Sequence, residues 1–302
     1  MRRPNVQDLA WLRTIPQSSA VVRASRSVAT RVFAELPFHP VPSFDDIPAE
    51  TKTLIVSGGG SLMDQAKYFR ARLRPELNLV LIPSIWGSGA EASPIAVLNR
   101  EGSKEIAIGD EFLPDAIVYW PELLATVSPA QARWACGDAW AHALEGFLSP
   151  LAHDALRREL ANLMNQMLQL PLSRDSRWFQ ASARACALQA QASAGLVHGI
   201  AHVLESETEW GHARLCSTFL LPVMNLNRQA SSKWSELVRQ YGLDEPALWN
   251  VLQRLFTPDD FAALMPLLRS NWTKILRDPS TRTNGALIRI RNLEEIEHQV
   301  AA

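Results

Sequence analysis

Thr53-Leu-Ile-Val-Ser57-Gly58-Gly59-Gly60-Ser61 decides the reading of the fold. A short run rich in β-branched apolar residues, bounded by turn formers, is the pattern of a strand buried on both faces of a parallel sheet. It runs directly into three glycines. Leu62-Met-Asp64-Gln-Ala-Lys67-Tyr-Phe-Arg-Ala-Arg72 then follows a helical period, and Asn78-Leu-Val-Leu-Ile82-Pro83 repeats the buried-strand pattern. Together they make a βαβ unit with a glycine turn at the carboxyl end of its first strand, where open α/β sheets bind ligands. Glycines there let a ligand approach the backbone, and the helix N-terminus that follows offers free N–H groups to a pyrophosphate. The spacing is neither GxGxxG nor the Walker pattern. A tight turn needing positive φ angles explains the glycines equally well.

Outward from this unit, a second small-residue turn follows the next strand: Pro83-Ser84-Ile-Trp-Gly87-Ser88-Gly89-Ala-Glu91. Pro94 to Leu98 and Glu105 to Ile108 read as a hairpin, and Ala116 to Tyr119 as a last short strand. Upstream lie an apolar patch at Ala20 to Val22, a helix over Ser25 to Leu36, and a Pro-rich turn segment, Pro37 to Ser43, with His39 at the surface. From Ser128, an N-cap, and Pro129 at the first helical position, the strand signals stop. A helix is expected through Phe147. Further helices are expected over Asp154 to Leu168, Trp178 to Leu204, Leu215 to Gln229, Lys233 to Tyr241, Pro246 to Phe256, Pro258 to Arg269 and Leu293 to Val300.

The fold class is therefore α/β, with a Rossmann-like parallel-sheet nucleotide domain over residues 1–127 and an all-α domain over 128–302. A chain of 302 residues is long enough for two cores, and the absence of a flexible linker predicts close packing with a cleft between them.

Composition excludes some partners. With a formal net charge of -1, no global field recruits nucleic acid or an acidic membrane. Small molecules or other protein chains are the expected partners, and a homodimer stays open. Cys136, Cys186 and Cys216 are odd in number, widely spaced and in apolar surroundings, the pattern of reduced thiols in the cytoplasm. The basic N-terminus is not followed by an apolar stretch, and charges interrupt every later one before membrane-spanning length.

The chemistry concentrates in the histidines. Asp138 and His142 stand at i and i+4 and share a helix face. His198, His202 and His212 follow in a second helical stretch, so the two segments can converge on a divalent ion. Imidazoles with a carboxylate suit Fe(II), Zn(II) or Mn(II) better than Ca(II). Glu145, one turn beyond, either orients a ligand imidazole or lies in solvent. His153 and His298 have no such partners and read as solvated.

These blocks resemble the iron-containing, group III, metal-dependent alcohol dehydrogenases, whose fold is shared with dehydroquinate synthase and glycerol dehydrogenase. The resemblance rests on Gly58-Gly-Gly-Ser61 with Asp64 and Ala66-Lys67, the Pro83 to Glu91 loop, Lys104, and Leu113-Pro114-Asp115 with Pro121. Asp138-Ala-Trp-Ala-His142-Ala-Leu-Glu145 and the block from Gly195 to His212 complete it. It implies a metal, Fe(II) or else Zn(II) or Mn(II), on Asp138, His142, His198 and His212, and it makes His202 a proton relay near the nicotinamide. It implies NAD or NADP with its pyrophosphate on Gly58, Gly59, Gly60 and Ser61, Asp64 belonging to the same motif, and the rest of the dinucleotide near Ser84, Ser88 and Lys104. The implied reaction is reversible hydride transfer between the cofactor and a small alcohol or aldehyde.

Three departures accompany the match. Ser84-Ile85 stands where the family carries two threonines, Trp120 stands where it carries Asp before Pro121, and the 57 residues before Gly58 are fewer than full-length members have. The expectation is an N-terminally shortened member. Two other readings are carried: a dehydroquinate synthase-like lyase cycling NAD internally, and a non-catalytic metal-binding member acting as a partner protein.

Overall fold

The computed structural model describes residues 3–100, 103–230 and 232–298. The chain divides into two compact units, Met1–Ser128 and Pro129–Ala302.

The first unit runs β1 (Asn5–Gln7), α1 (Leu9–Leu12), β2 (Ala20–Ala24), α2 (Ala29–Glu35), β3 (His39–Pro40), β4 (Thr53–Gly58), α3 (Gly60–Leu73), β5 (Asn78–Pro83), β6 (Ile95–Arg100), β7 (Ser103–Ile108) and β8 (Ala116–Val118). Six strands form one parallel sheet in the order β1-β8-β5-β4-β2-β3, and β6 and β7 form a separate antiparallel hairpin. Alternation along the strands shows why the apolar runs are continuous. Val21, Leu54, Val56, Leu79 and Leu81 pack with Met63 and Ala66 of α3 in one core. Val22, Ile55, Val80 and Ile82 pack with Val32, Leu12 and Trp120 in another. Successive side chains on a strand point to opposite faces, so a strand covered on both sides needs apolar residues at every position.

After β2 the chain places β3 on one side, then returns to lay β4, β5 and β8 successively on the other. The reversal lies between β2 and β4, and a reversal of this kind opens a crevice at the strands' carboxyl ends. Ser25, just past β2, donates its backbone N–H to Ser57 O at 2.8 Å, so the loop after β2 lies beside the glycine turn after β4.

Two strands differ from the sequence expectation. β1 holds a single apolar residue, Val6, and pairs with β8 at the sheet's edge, where alternation carries little signal. β3 falls inside the Pro-rich segment read as a turn, and an edge position tolerates Pro40. His39 is exposed, as expected.

The second unit is helical: α4 (Pro129–Leu148), α5 (Asp154–Met167), α6 (Arg177–Gln189), α7 (Leu196–Leu204), α8 (His212–Ala230), α9 (Lys233–Tyr241), α10 (Glu245–Leu255), α11 (Pro258–Arg277), α12 (Pro279–Arg282) and α13 (Asn292–His298). α4 is buried on every side from Ala135 to Leu148, which explains its wealth of alanine and glycine. A Cβ at Gly137 would lie 2.8 Å from the Ser217 Cα, and one at Gly146 would lie 3.1 Å from the Gln189 Cα. Two neighbouring helices thus press against the α4 backbone at its glycines, α8 at Gly137 and α6 at Gly146.

The helix expected over Trp178 to Leu204 is two helices. Its period continues through Ala190 to Ala194, but Ser193 takes a left-handed φ of 68° and breaks the chain's course. The break is stabilised from afar: the buried Glu145 carboxylate accepts hydrogen bonds from the Gly195 and Val197 N–H groups at the start of α7. α11 runs on past Arg269 to Arg277. The expected terminal helix reaches His298, and its last two positions lie outside the described residues. Among the described residues no helix is long and apolar enough to cross a membrane.

Candidate metal centre and dinucleotide turn

α4 carries Asp138 and His142 one turn apart, α7 carries His198, and His212 is the first residue of α8. The close approach of α8 at Gly137 brings these positions together. The Nε2 atoms of His142, His198 and His212 lie 3.6, 3.8 and 3.9 Å from Asp138 Oδ1. A cation bonded at about 2.0–2.2 Å to each of two donors leaves them roughly 3–4 Å apart, so the spacing suits one ion in the middle.

Every imidazole of the group faces an acceptor with its other nitrogen. His142 Nδ1 lies 2.9 Å from Gln189 Oε1, His198 Nδ1 lies 2.6 Å from Glu145 Oε2, and His212 Nδ1 lies 3.4 Å from Glu205 Oε2. An acceptor at Nδ1 fixes the proton there and leaves the Nε2 lone pair facing Asp138, the arrangement a metal-ligating histidine needs. Of the two readings of Glu145, the structure shows the orienting one: the side chain is buried and bonded to His198 and to the α7 N-terminus.

The electrostatics point the same way. Burial pushes the His142 pKa down to about 4, and the neighbouring His198 adds to the effect, so its imidazole is neutral at neutral pH and can ligate. Burial acts to raise the Asp138 carboxyl, but His142, His212 and His198 and a hydrogen bond from Cys216 outweigh it and hold the pKa below the usual carboxylate range. Asp138 is 1% exposed, and its Oδ1 has no hydrogen-bond partner; neither does the buried His142 Nε2. An ionised oxygen buried in this state costs several kcal/mol unless a cation is beside it. The residues therefore fit a divalent ion.

His202 lies beside the group. Its ring stacks on His212 with centroids 5.8 Å apart, and its Nδ1 faces Asp278 Oδ2 at 3.6 Å. Sequence reasoning missed Gln189, Glu205 and Asp278, whose positions relative to the histidines depend on packing. It also set aside Cys216. The donor atoms of Asp138, His198, His212 and Cys216 lie within 4.8 Å of one another, and the one available signal was that Cys216 stands four residues after His212, on the same helix face.

In the sheet unit, Gly59 caps α3 and has a φ of -87°, and none of Gly58, Gly59 or Gly60 has a positive φ. The turn that needs positive φ is the second one, at Gly87 and Gly89. Gly58 and Gly60 sit in crowded surroundings instead. A Cβ at Gly58 would sit 2.9 Å from Leu62 Cδ2, and one at Gly60 2.7 Å from Ser88 Oγ. Ser84 donates its N–H to Gly58 O at 2.9 Å, so the two turns are joined. The structure thus gathers Gly58, Gly59, Gly60, Ser84 and Ser88 at the start of α3, with Ser61 exposed on its first turn. Asp64, one turn on, binds protein with both oxygens, accepting from Lys67 Nζ at 2.7 Å and from Val97 N at 3.1 Å, and so ties the hairpin to α3. The Lys104 side chain lies outside the described residues; its backbone pairs with Asn99.

The family model for iron-containing alcohol dehydrogenase matches residues 48–121. 1-Propanol dehydrogenase PduQ of Salmonella typhimurium is 28% identical over 211 residues, covering 64% of this chain and 57% of that protein. Maleylacetate reductase 2 of Cupriavidus pinatubonensis is 27% identical over 192 residues, covering 61% and 53%. The chain thus spans little more than half the length of these curated relatives. Among solved structures, the iron-containing alcohol dehydrogenase from Thermococcus thioreducens superposes with a TM-score of 0.77 at 20% identity, covering 98% of each chain. Sulfoacetaldehyde reductase from Bifidobacterium kashiwanohense, solved with NAD+, does so with a TM-score of 0.74 at 16% identity, covering 100% of this chain and 98% of that one. Sequence and fold comparisons agree: residues 48–121 match the iron-containing alcohol dehydrogenase family, and the chain as a whole shares the fold of an iron-containing alcohol dehydrogenase.

Proposed function

We propose that the protein is a metal-dependent, NAD(P)-linked alcohol dehydrogenase or aldehyde reductase. The observation that carries this reading is the donor group in which three imidazoles, each with an acceptor facing Nδ1, surround one buried carboxylate oxygen without a hydrogen-bond partner. Asp138, His142, His198 and His212 would hold Fe(II), Zn(II) or Mn(II). When bound, such an ion supplies Lewis-acid polarisation of a carbonyl or alcohol oxygen, and the dinucleotide supplies or takes the hydride. Gln189, Glu145 and Glu205 face the Nδ1 atoms and would hold the rings with Nε2 aimed at the ion. His202, steadied by Asp278, is positioned to hold or pass the proton that balances the hydride. Gly59 and Gly60 begin α3 and would receive the pyrophosphate, with Ser61 and Ser88 beside it.

The test is oxidation of NADH or NADPH by the Fe(II)- or Zn(II)-loaded protein with a panel of short aldehydes, beside titration of the dinucleotide alone. Turnover is expected, with loss of both metal content and activity in His198→Ala and Asp138→Asn. No dinucleotide binding at millimolar concentration would sink the proposal.

A further inference from the structure

We propose that Cys216 is a further metal ligand, adding a sulfur donor to the cation held by Asp138, His142, His198 and His212. This rests on the metal-centre reading above. The donor atoms of Asp138, His198, His212 and Cys216 form one group within 4.8 Å, and Cys216 Sγ lies 3.5 Å from His212 Nε2, the nitrogen that faces Asp138. The second observation is that Asp138 Oδ1, 1% exposed and without a hydrogen-bond partner, lies 3.9 Å from that same nitrogen. One helical turn on α8 puts His212 and Cys216 on a common face, so both reach the group without any change of backbone.

Coordination breaks the S–H bond. The sulfur electron pair forms the bond to the cation, the proton leaves to solvent, and nothing is oxidised or reduced. A thiolate among imidazoles favours borderline and soft divalent ions, Zn(II) and Co(II), over Mn(II) and Mg(II). The consequence is a centre shifted toward zinc.

Cobalt(II) reports the donor set directly. A thiolate ligand gives an intense near-ultraviolet charge-transfer band, whereas nitrogen and oxygen donors give only weak visible d–d bands. The metal-free full chain, loaded anaerobically with Co(II), is expected to take up one equivalent and show the charge-transfer band. The band should persist in the Cys136→Ser/Cys186→Ser variant, where Cys216 is the one remaining cysteine, and vanish in Cys216→Ser and Cys216→Ala while Co(II) stays bound. Stoichiometric Co(II) with d–d bands alone in the unsubstituted protein would overturn the sulfur ligand and leave the metal-dependent function standing. Absence of Co(II) uptake would overturn both, and it is separated from misfolding by the circular dichroism of the same unsubstituted sample.

Discussion

Glu145 accepts three hydrogen bonds, from Gly195 N at 2.8 Å, Val197 N at 2.5 Å and His198 Nδ1 at 2.6 Å. An amide in its place keeps one accepting oxygen and turns an NH2 group toward a buried donor. Glu145→Gln is therefore expected to destabilise the metal-free protein by about 1–3 kcal/mol and to weaken metal binding by about 10–100-fold, as urea unfolding and Zn(II) titration would show. Glu91 makes a different case. Burial raises its pKa to about 7 from the ordinary 4.5, against the pull of Lys67, so the folded protein favours the protonated carboxyl. Stability is then full below about pH 4.5 and declines as pH rises to about 7, a loss on the order of 3 kcal/mol. Glu91→Gln should remove this decline, flattening the pH dependence of unfolding between about pH 5 and about pH 8; a curve unchanged by the substitution would refute it. The identities of the donor residues were legible in the sequence because imidazole and carboxylate declare their chemistry anywhere in a chain. Their partners were not: nothing local to Gln189 or Asp278 distinguishes a residue behind a ligand from an ordinary polar one.

At the scale of elements, α4 and α3 use glycine in opposite ways. Gly137 is where α8 touches the α4 backbone, and a methyl group there would meet Ser217 Cβ at 2.5 Å and Cα at 2.8 Å. Gly137→Ala should push the helices apart, cost at least about 1–3 kcal/mol by overpacking, and weaken metal binding because His212 moves with α8. At Gly59 the nearest atom to a new Cβ is Ile85 Cγ2 at 3.7 Å, an ordinary contact. Gly59→Ala is expected to keep the melting temperature and lose dinucleotide affinity, since the methyl fills the approach to the α3 N-terminus. Equal affinity in a fluorescence titration of NADH would remove the pyrophosphate from this turn. The strand–glycine–helix–strand pattern was readable because burial on both faces of a parallel strand is written residue by residue. The break between α6 and α7 was not, because the helical period runs unbroken across it and the carboxylate that stabilises it lies about fifty residues away on α4.

Over the whole molecule, the proposed metal site and the proposed dinucleotide turn lie in different compact units, residues 129–302 and residues 1–128. A ligand that binds only the folded state stabilises by about 2.7 kcal/mol at a hundred times its dissociation constant. Zn(II) is thus expected to raise the thermal midpoint of the helical unit, EDTA to reverse the shift, and Asp138→Asn to abolish it; a shift that survives Asp138→Asn would place the metal elsewhere. By itself the sequence determined the two architectures and named the candidate donor residues, because alternation, helical period and side-chain type are local properties. Tertiary structure alone decided the rest. It set β1 at the sheet's edge, ended α6 at Gln189, turned the histidines' Nδ1 atoms to Gln189, Glu145 and Glu205, and brought Cys216 into the donor group. These are meetings between segments far apart in the chain, set by how closely helices and strands can pack, and no local pattern records them.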